Sequence, residues 1–340
     1  MTRSGLLLAA LLLGPGVGTA LAEAQPVLDL LQRMQVAVRT LNYHGTLVYL
    51  QEGQVQTMHV AHRVDANGEQ ERLVNLNGAA REVIRKGDVV ACYMPDSKTV
   101  TVGKRQMEDN VLAKLAENDF STLQRHYRFG LESPDRVAGR PTQVLRISAR
   151  ENDRYGYRLW LDATNALLLK SELLDEQGRV LEQAMFSDIE VVDSIPLSMV
   201  EPMTRGDGFS WFQLDDAEGG RSLSSSDWQL GALPVGFEVS AHYLQNMPNS
   251  SRPAERWVLS DGLATVSVFI EKFMDGQEAF EGGAPMGAVN AFGSVVAQHQ
   301  VTVIGEVPMG TVERVARAVR YSPGAGTGHQ QTSVLSSARD

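Results

Sequence analysis

From Tyr43 onward the chain alternates apolar and polar residues in short runs, each closed by two or three turn-forming residues. Tyr43–Leu50, Val55–Val64, Glu71–Leu76, Arg81–Arg85, Val89–Met94 and Lys98–Val102 are punctuated by Glu52-Gly53, Asn67-Gly68, Lys86-Gly87-Asp88 and Pro95-Asp96-Ser97. Side chains on a strand alternate between faces, and Gly or Asn supplies the backbone conformation a tight reversal needs. The pattern predicts an antiparallel meander. It resumes in Arg125–Leu131, Arg136–Ile147 with a kink at Gly139-Arg140-Pro141, Tyr155–Leu161, Leu167–Leu174 and Val180–Val191. So many strands in hairpin order favour a strongly curved sheet or incomplete barrel over a flat one, and its concave side needs a cover.

Two segments can supply that cover. Between Pro26 and Leu41, Leu28, Leu31, Met34, Val38 and Leu41 recur at three- and four-residue steps, one apolar stripe of a helix. Met107–Gln124 breaks the alternation, with Val111, Leu112, Leu115, Phe120 and Leu123 placed for a helical or loop segment laid over the sheet. A Gly- and Ser-rich stretch without apolar periodicity, Asp215–Asp227, reads as a flexible linker. Beyond it lies a smaller unit. Phe237, Val239, Ala241 and Tyr243 alternate as a strand, and Arg256–Phe273 holds two β-branched runs around Asp261-Gly262, predicting a hairpin with a two-residue turn. Its second run puts Ala264, Val266, Val268 and Ile270 on one face and Thr265, Ser267 and Phe269 on the other. A Gly-rich loop over Gly282–Gly287, a strand over Val295–Val303, and a helix through Val312, Val315, Ala316 and Val319 after a Thr311 cap complete it. The expected fold is mainly β with α (α+β), in two domains: 23–212 and 228–321, with 213–227 joining them.

At the start, Arg3, the apolar run Leu6–Leu13 and Ala20-Leu21-Ala22 have the form of a cleaved signal peptide over residues 1–22. Gly14, Pro15 and Gly16 break the run too early for a bilayer span, and there is no Cys near the cut to carry a lipid. A soluble exported protein beginning at Glu23 is expected. Ser322–Asp340 has little to bury and is expected to be disordered. The one cysteine, Cys92, lies in an apolar run and reads as a small core residue, so the fold holds without disulfides. The net charge of -10 argues against nucleic acid as the main partner.

Motifs for catalysis are scarce. There is no Gly-x-Ser-x-Gly elbow and no His pair at helical spacing; His59 and His62, three apart on a strand, point to opposite faces, which disfavours a shared metal. Gly324-Ala325-Gly326 lacks the strand and helix of a phosphate loop. Carboxylate pairs such as Asp215-Asp216, or Glu151 with Asp153, suit an acidic surface, and Asn249-Ser250-Ser251 a polar loop. No cofactor, metal or catalytic residue is assigned. Arg256, Trp257, Asp261, Phe269 and Phe273 are the candidate partner-binding residues, because a ribbon with aromatics on its mixed face offers anchors; the same rings also suit closure of the domain's own core. Trp160 belongs to the sheet, whereas Trp211 and Trp228, beside the linker, are placed to pack one domain on the other.

The wording of the hairpin, Glu255–Glu271, with Gly287–Ala291 and Val301–Pro308, resembles the carboxy-terminal domain of the RseB/MucB family; Tyr43–Tyr49 and Tyr157–Asp162 resemble its amino-terminal domain. The resemblance covers nearly the whole chain after the leader. It implies a LolA/LolB-like half-barrel covered by helices, and a periplasmic negative regulator of an envelope-stress (sigma-E or AlgU-type) sigma factor. Such a protein binds the periplasmic domain of a membrane anti-sigma factor without catalysis, with lipid, lipopolysaccharide or mislocalised lipoprotein as signal and with homodimers or higher oligomers in view. A half-barrel can enclose an apolar cavity suited to acyl chains; the residues alone leave open whether that space is empty or filled, and no lipid-cavity residues are assigned. The alternative is a periplasmic lipid carrier of the LolA type, which leaves the second domain unexplained; a hydrolase with an unrecognised site is a third reading.

Overall fold

The computed structural model describes residues 18–104, 120–213, 222–247, 252–273 and 276–323. The leader through residue 17, most of Met107–Gln124, 214–221 of the linker, the Asn249 triplet and the tail from 324 lie outside these.

Helix α1 (Gly18–Thr40) leads into β1 (Asn42–Gln51), β2 (Gln54–Asp65), β3 (Gly68–Asn75), β4 (Glu82–Lys86), β5 (Val89–Met94) and β6 (Thr99–Lys104). After the short helix α2 (Phe120–Leu123) come β7 (Tyr127–Val137), β8 (Arg140–Ala149), β9 (Gly156–Asp162), β10 (Leu168–Leu174), β11 (Val180–Val192) and β12 (Ser210–Gln213). They form one sheet in the order β12-β6-β5-β4-β3-β2-β1-β11-β10-β9-β8-β7. The first and last hairpin series therefore meet at β1 and β11. The apolar stripe of α1 covers one face: Leu30, Leu31 and Met34 pack with Leu145, Ile147, Leu159 and Leu161, joined by Phe120 and Leu123 of α2. This is the expected half-barrel with its helical cover.

The supposed kink at Gly139 is a hairpin turn. Val137 pairs with Arg140, and Ala138 and Gly139 both have positive φ (47° and 73°), the two-residue reversal whose twist matches that of the strands. The parallel strand β12 was not evident from the pattern. After β11 the chain crosses the other face of the sheet, where Ile195 and Val200 bury Ala61 and Phe209 covers Ile84 and Val100, before β12 pairs with β6. Cys92 is half-buried rather than core, and Arg81 Nε donates to its sulfur at 3.3 Å.

The second domain holds β13 (Trp228–Leu230), β14 (Glu238–Gln245), β15 (Ala254–Ser260), β16 (Thr265–Lys272), β17 (Gly282–Met286), β18 (Val289–Val296), β19 (His299–Gly305), α3 (Met309–Ala318) and β20 (Val319–Tyr321). Six of these strands form an antiparallel sheet in the order β14-β15-β16-β19-β18-β17, while β13 pairs with β20. Val266, Val268 and Ile270 share the expected face and pack on Val312, Val315 and Ala316 of α3. Three local expectations change. The Gly282–Gly287 stretch is strand β17, because Gly287 supplies a positive φ of 65° for the turn into β18. The Val295–Val303 run is split by a two-residue turn at Ala297-Gln298. The helix starts after Pro308 without a side-chain cap, and the Thr311 hydroxyl donates instead to the Asp153 carbonyl of the first domain at 2.8 Å. Ser222–Asp227 is held by the second domain: Ser222 bridges to Tyr243, and Leu223 N donates to His242 O. Trp228 is buried in that domain's own core and Trp211 is 56% exposed on β12, so neither packs one domain on the other.

Candidate functional site

Beneath α1 the half-barrel holds a half-open cavity of about 450 Å³, within the size range of small-molecule sites. Met34 and Val38 of α1, Leu47, Val60, Leu73 and Phe186 make its apolar wall. On one side the lining turns charged. His62 on β2 stacks on Tyr43 at 4.8 Å, its Nε2 lies 2.9 Å from Glu69, and Arg85 of β4 donates to Glu69 (2.5 Å) and Glu71 (3.0 Å) of β3. Burial raises the Glu69 carboxyl, but hydrogen bonds from His62 and Arg85 outweigh it and bring it down to about 2. His59 points to the opposite face, towards His44. Sequence reasoning missed this constellation, although a signal existed. His62, Glu71 and Arg85 fall on the strand positions that otherwise carry Val60, Leu73 and Val83, polar residues in core parity.

A second concentration of polar groups lies between the domains. At the tip of the β15–β16 hairpin, Ser260 pairs with Thr265, so the loop has four residues rather than two. Asp261 Oδ1 accepts from the amides of Leu263 and Ala264 (2.9 and 2.8 Å), which folds the loop around its carboxylate. The other oxygen, Oδ2, accepts from Arg154 Nη1 (2.5 Å) and the Tyr127 hydroxyl (2.9 Å) of the first domain. Both side chains of the ion pair are fully buried. The Arg154 guanidinium lies over the Phe237 ring at 5.0 Å and also donates to the Val235 carbonyl. Around it Tyr155 meets Asn290 (3.1 Å), Arg314 pairs with Asp153 (2.7 Å), and Leu263 and Ala288 enter the first domain's apolar core.

The five candidate partner-binding residues are thus divided. Arg256 and Phe269 are brought together on the sheet face away from α3, where the guanidinium lies 5.7 Å from the Tyr243 ring and 5.2 Å from the Phe269 ring and donates to Ser267 and Gln245. Trp257 faces α3, stacked on His242 at 3.6 Å with its Nε1 donating to Glu255. Phe273 is half-buried just past β16. Asp261 is committed to the domain junction and 6% exposed. Among the described residues no group of three or more His, Cys, Asp or Glu is placed to hold a metal ion, and no helix is long and apolar enough to cross a membrane.

A half-barrel with a half-open cavity, joined through a buried interface to a smaller sheet-and-helix domain, defines a two-domain α+β protein of the LolA-like half-barrel class. Comparison with known proteins covers both domains. The sequence model of the MucB/RseB N-terminal domain matches residues 26–204 and that of the MucB/RseB C-terminal domain residues 222–320. The chain belongs to the MucB/RseB family. It is 32% identical over 314 residues to the sigma factor AlgU regulatory protein MucB of Pseudomonas aeruginosa, covering 91% of this chain and 96% of that one. It is 26% identical over 305 residues to the sigma-E factor regulatory protein RseB of Escherichia coli (89% and 93% covered). The Pseudomonas aeruginosa MucA/MucB complex superimposes with a TM-score of 0.70 at 29% identity, covering 88% of this chain and 100% of that chain; a crystal structure of MucB gives 0.60 at 30% identity, with 88% and 98% covered.

Proposed function

We propose that this protein is a periplasmic negative regulator without catalysis. It binds the periplasmic part of a membrane-anchored anti-sigma factor, shields it from regulated proteolysis, and lets go when a lipid-bearing envelope molecule occupies the half-barrel cavity. The observation that carries this reading is the two-domain match to MucB as it stands in complex with MucA. The cavity beneath α1, apolar on one side and charged on the other, supports an amphiphile as the signal. A ligand that binds the free form better than the complex shifts the equilibrium towards release. For partner contact, Arg256 and Phe269 with Tyr243 are favoured, since Asp261 is enclosed between the domains and Trp257 serves the domain's own packing. Export by a leader at 1–22 and freedom from lipidation belong to the same reading.

The test is protection of a periplasmic anti-sigma fragment from protease by the purified chain, with and without lipopolysaccharide or an acylated peptide. Protection that the amphiphile abolishes is the expected result. A fragment never bound, with acylated peptide held stoichiometrically, would instead make the protein a carrier of lipids or lipoproteins. Turnover of generic esters, peptides or glycosides would overturn both.

A further inference from the structure

His62 is 1% exposed, and both its ring nitrogens meet acceptors: Nδ1 lies 2.8 Å from the Leu41 carbonyl oxygen and Nε2 2.9 Å from Glu69 Oε1. A carbonyl oxygen and an ionised carboxylate only accept. Neutral imidazole has one N–H, so it satisfies one contact and turns a lone pair on the other; the imidazolium satisfies both. Charged groups surround the ring. Glu69 and Glu71 of β3 face it with Arg85 of β4, two carboxylates against one guanidinium, and the Tyr43 ring of β1 offers it an aromatic face. Arg39 of α1, Asp88 of the β4–β5 turn and Lys170 of β10 complete the charged lining of the cavity.

Leu41 is the joint between cover and sheet. α1 ends at Thr40, Leu41 N closes a last bond to Ala37 O at 3.1 Å, and Asn42 opens β1. The carbonyls of a helix's last turn lack helical partners, and the helix dipole favours a cation beside them. Because α1 contributes Met34 and Val38 to the cavity wall, the angle held at Leu41 sets how closely the helix covers the space. We propose that His62 is a proton-operated clasp on this joint, fastened when the ring carries both protons and loosened when it loses one, so that the cavity admits apolar ligands more readily as pH rises. The clasp stands on the cavity's own geometry and does not depend on the anti-sigma reading.

The experiment follows the full chain from about pH 5 to about pH 9, the span over which histidine ordinarily changes charge. Side-chain nitrogen NMR reads the protons on His62, hydrogen exchange, divided by the intrinsic base-catalysed rate at each pH, reads the Ala37–Asn42 amides, and the uncharged fluorophore N-phenyl-1-naphthylamine reads the cavity. The expected result is a doubly protonated ring at low pH. Its titration should be matched by faster exchange at the joint and tighter probe binding, each by roughly tenfold or more for the loss of one charge-assisted hydrogen bond. In Glu69→Gln the introduced amide can donate to Nε2, so a neutral ring keeps both contacts, and the pH dependence of exchange and probe binding should vanish with the fold intact by circular dichroism. A singly protonated His62 throughout, a titration that leaves exchange and probe binding unmoved, or a Glu69→Gln chain with unchanged pH dependence would each overturn the clasp.

Discussion

The Arg154–Asp261 pair is a costly charge arrangement to disturb, because both partners are fully buried and each has further hydrogen bonds that depend on its place. Removing one member of such a pair leaves the other charge without compensation in a dry site, at a cost of about 3–5 kcal/mol. Asp261→Ala should therefore lower stability by about that much in a denaturant titration, and a double-mutant cycle with Arg154→Met should show strong coupling. Glu69 makes a different prediction, one of pH. Its carboxyl drops from an ordinary value of 4.5 to about 2 in the folded state, so its contribution is present above about pH 4.5 and is lost as pH falls towards 2. Glu82, buried beneath Met203 N, Thr204 N and Arg72, is also lowered despite its burial and acts in the same direction. Allowing for solvent screening at the partly exposed Glu69, that one group is worth roughly 2 kcal/mol. The difference in unfolding midpoint between neutral and acidic solution should shrink in Glu69→Gln.

At the scale of the element, the β18–β19 turn is the plainest point of local strain. Ala297 and Gln298 both adopt positive φ (46° and 62°), a conformation that costs a side-chain-bearing residue and that Gly adopts freely. Gln298→Gly should relieve it and stabilise the second domain by about 0.5–1 kcal/mol, read as a raised midpoint of thermal unfolding. The two faces of the β14–β15–β16 ribbon make a second element-level prediction. Arg256→Ala and Phe269→Ala act on the face away from α3 and should weaken anti-sigma binding by tenfold or so each, about 1.4 kcal/mol, with little change in fold. Trp257→Ala, on the helix side, should cost stability before it costs binding. Equal binding by all three variants would remove the ribbon from the interface.

Taken whole, the chain is two folded units, each with its own core, joined by an apolar seam where Leu263 and Ala288 of the second domain lie among Tyr127, Tyr155 and Tyr157 of the first. Polar contacts from Asp153, Tyr155 and Arg154 reinforce the joint. The full chain should therefore unfold in a single transition, coincident by circular dichroism and by tryptophan fluorescence. A chain ending near Gly220 should keep its sheet yet unfold at a lower temperature, because it leaves this junction uncovered; two separate transitions in the full chain would show the domains to be independent.

Much of this architecture was legible from local pattern. The α1 stripe from Leu28 to Leu41, the meander and the buried face of Val266, Val268 and Ile270 follow from periodicities that the backbone imposes on any strand or helix. Some turns carrying Gly at the reversal, such as Glu52-Gly53, were equally plain, whereas Ala297-Gln298 was hidden because nothing in its residues announces a positive φ. The candidate site was legible only in part: Arg256 and Phe269 share a face as the alternation requires, but the role of Asp261 depends on Arg154, more than a hundred positions away. His62, Glu69 and Arg85 stand out in the sequence only as polar residues in core parity; that they meet depends on β2, β3 and β4 aligning them on one cavity wall. The sequence alone determined most of the elements, their buried faces and the two-domain plan, because these rest on short-range periodicity and turn chemistry. Only the tertiary structure decided which charges meet, where the cavity lies and how the domains join, because those depend on register and on contacts between residues distant in the chain.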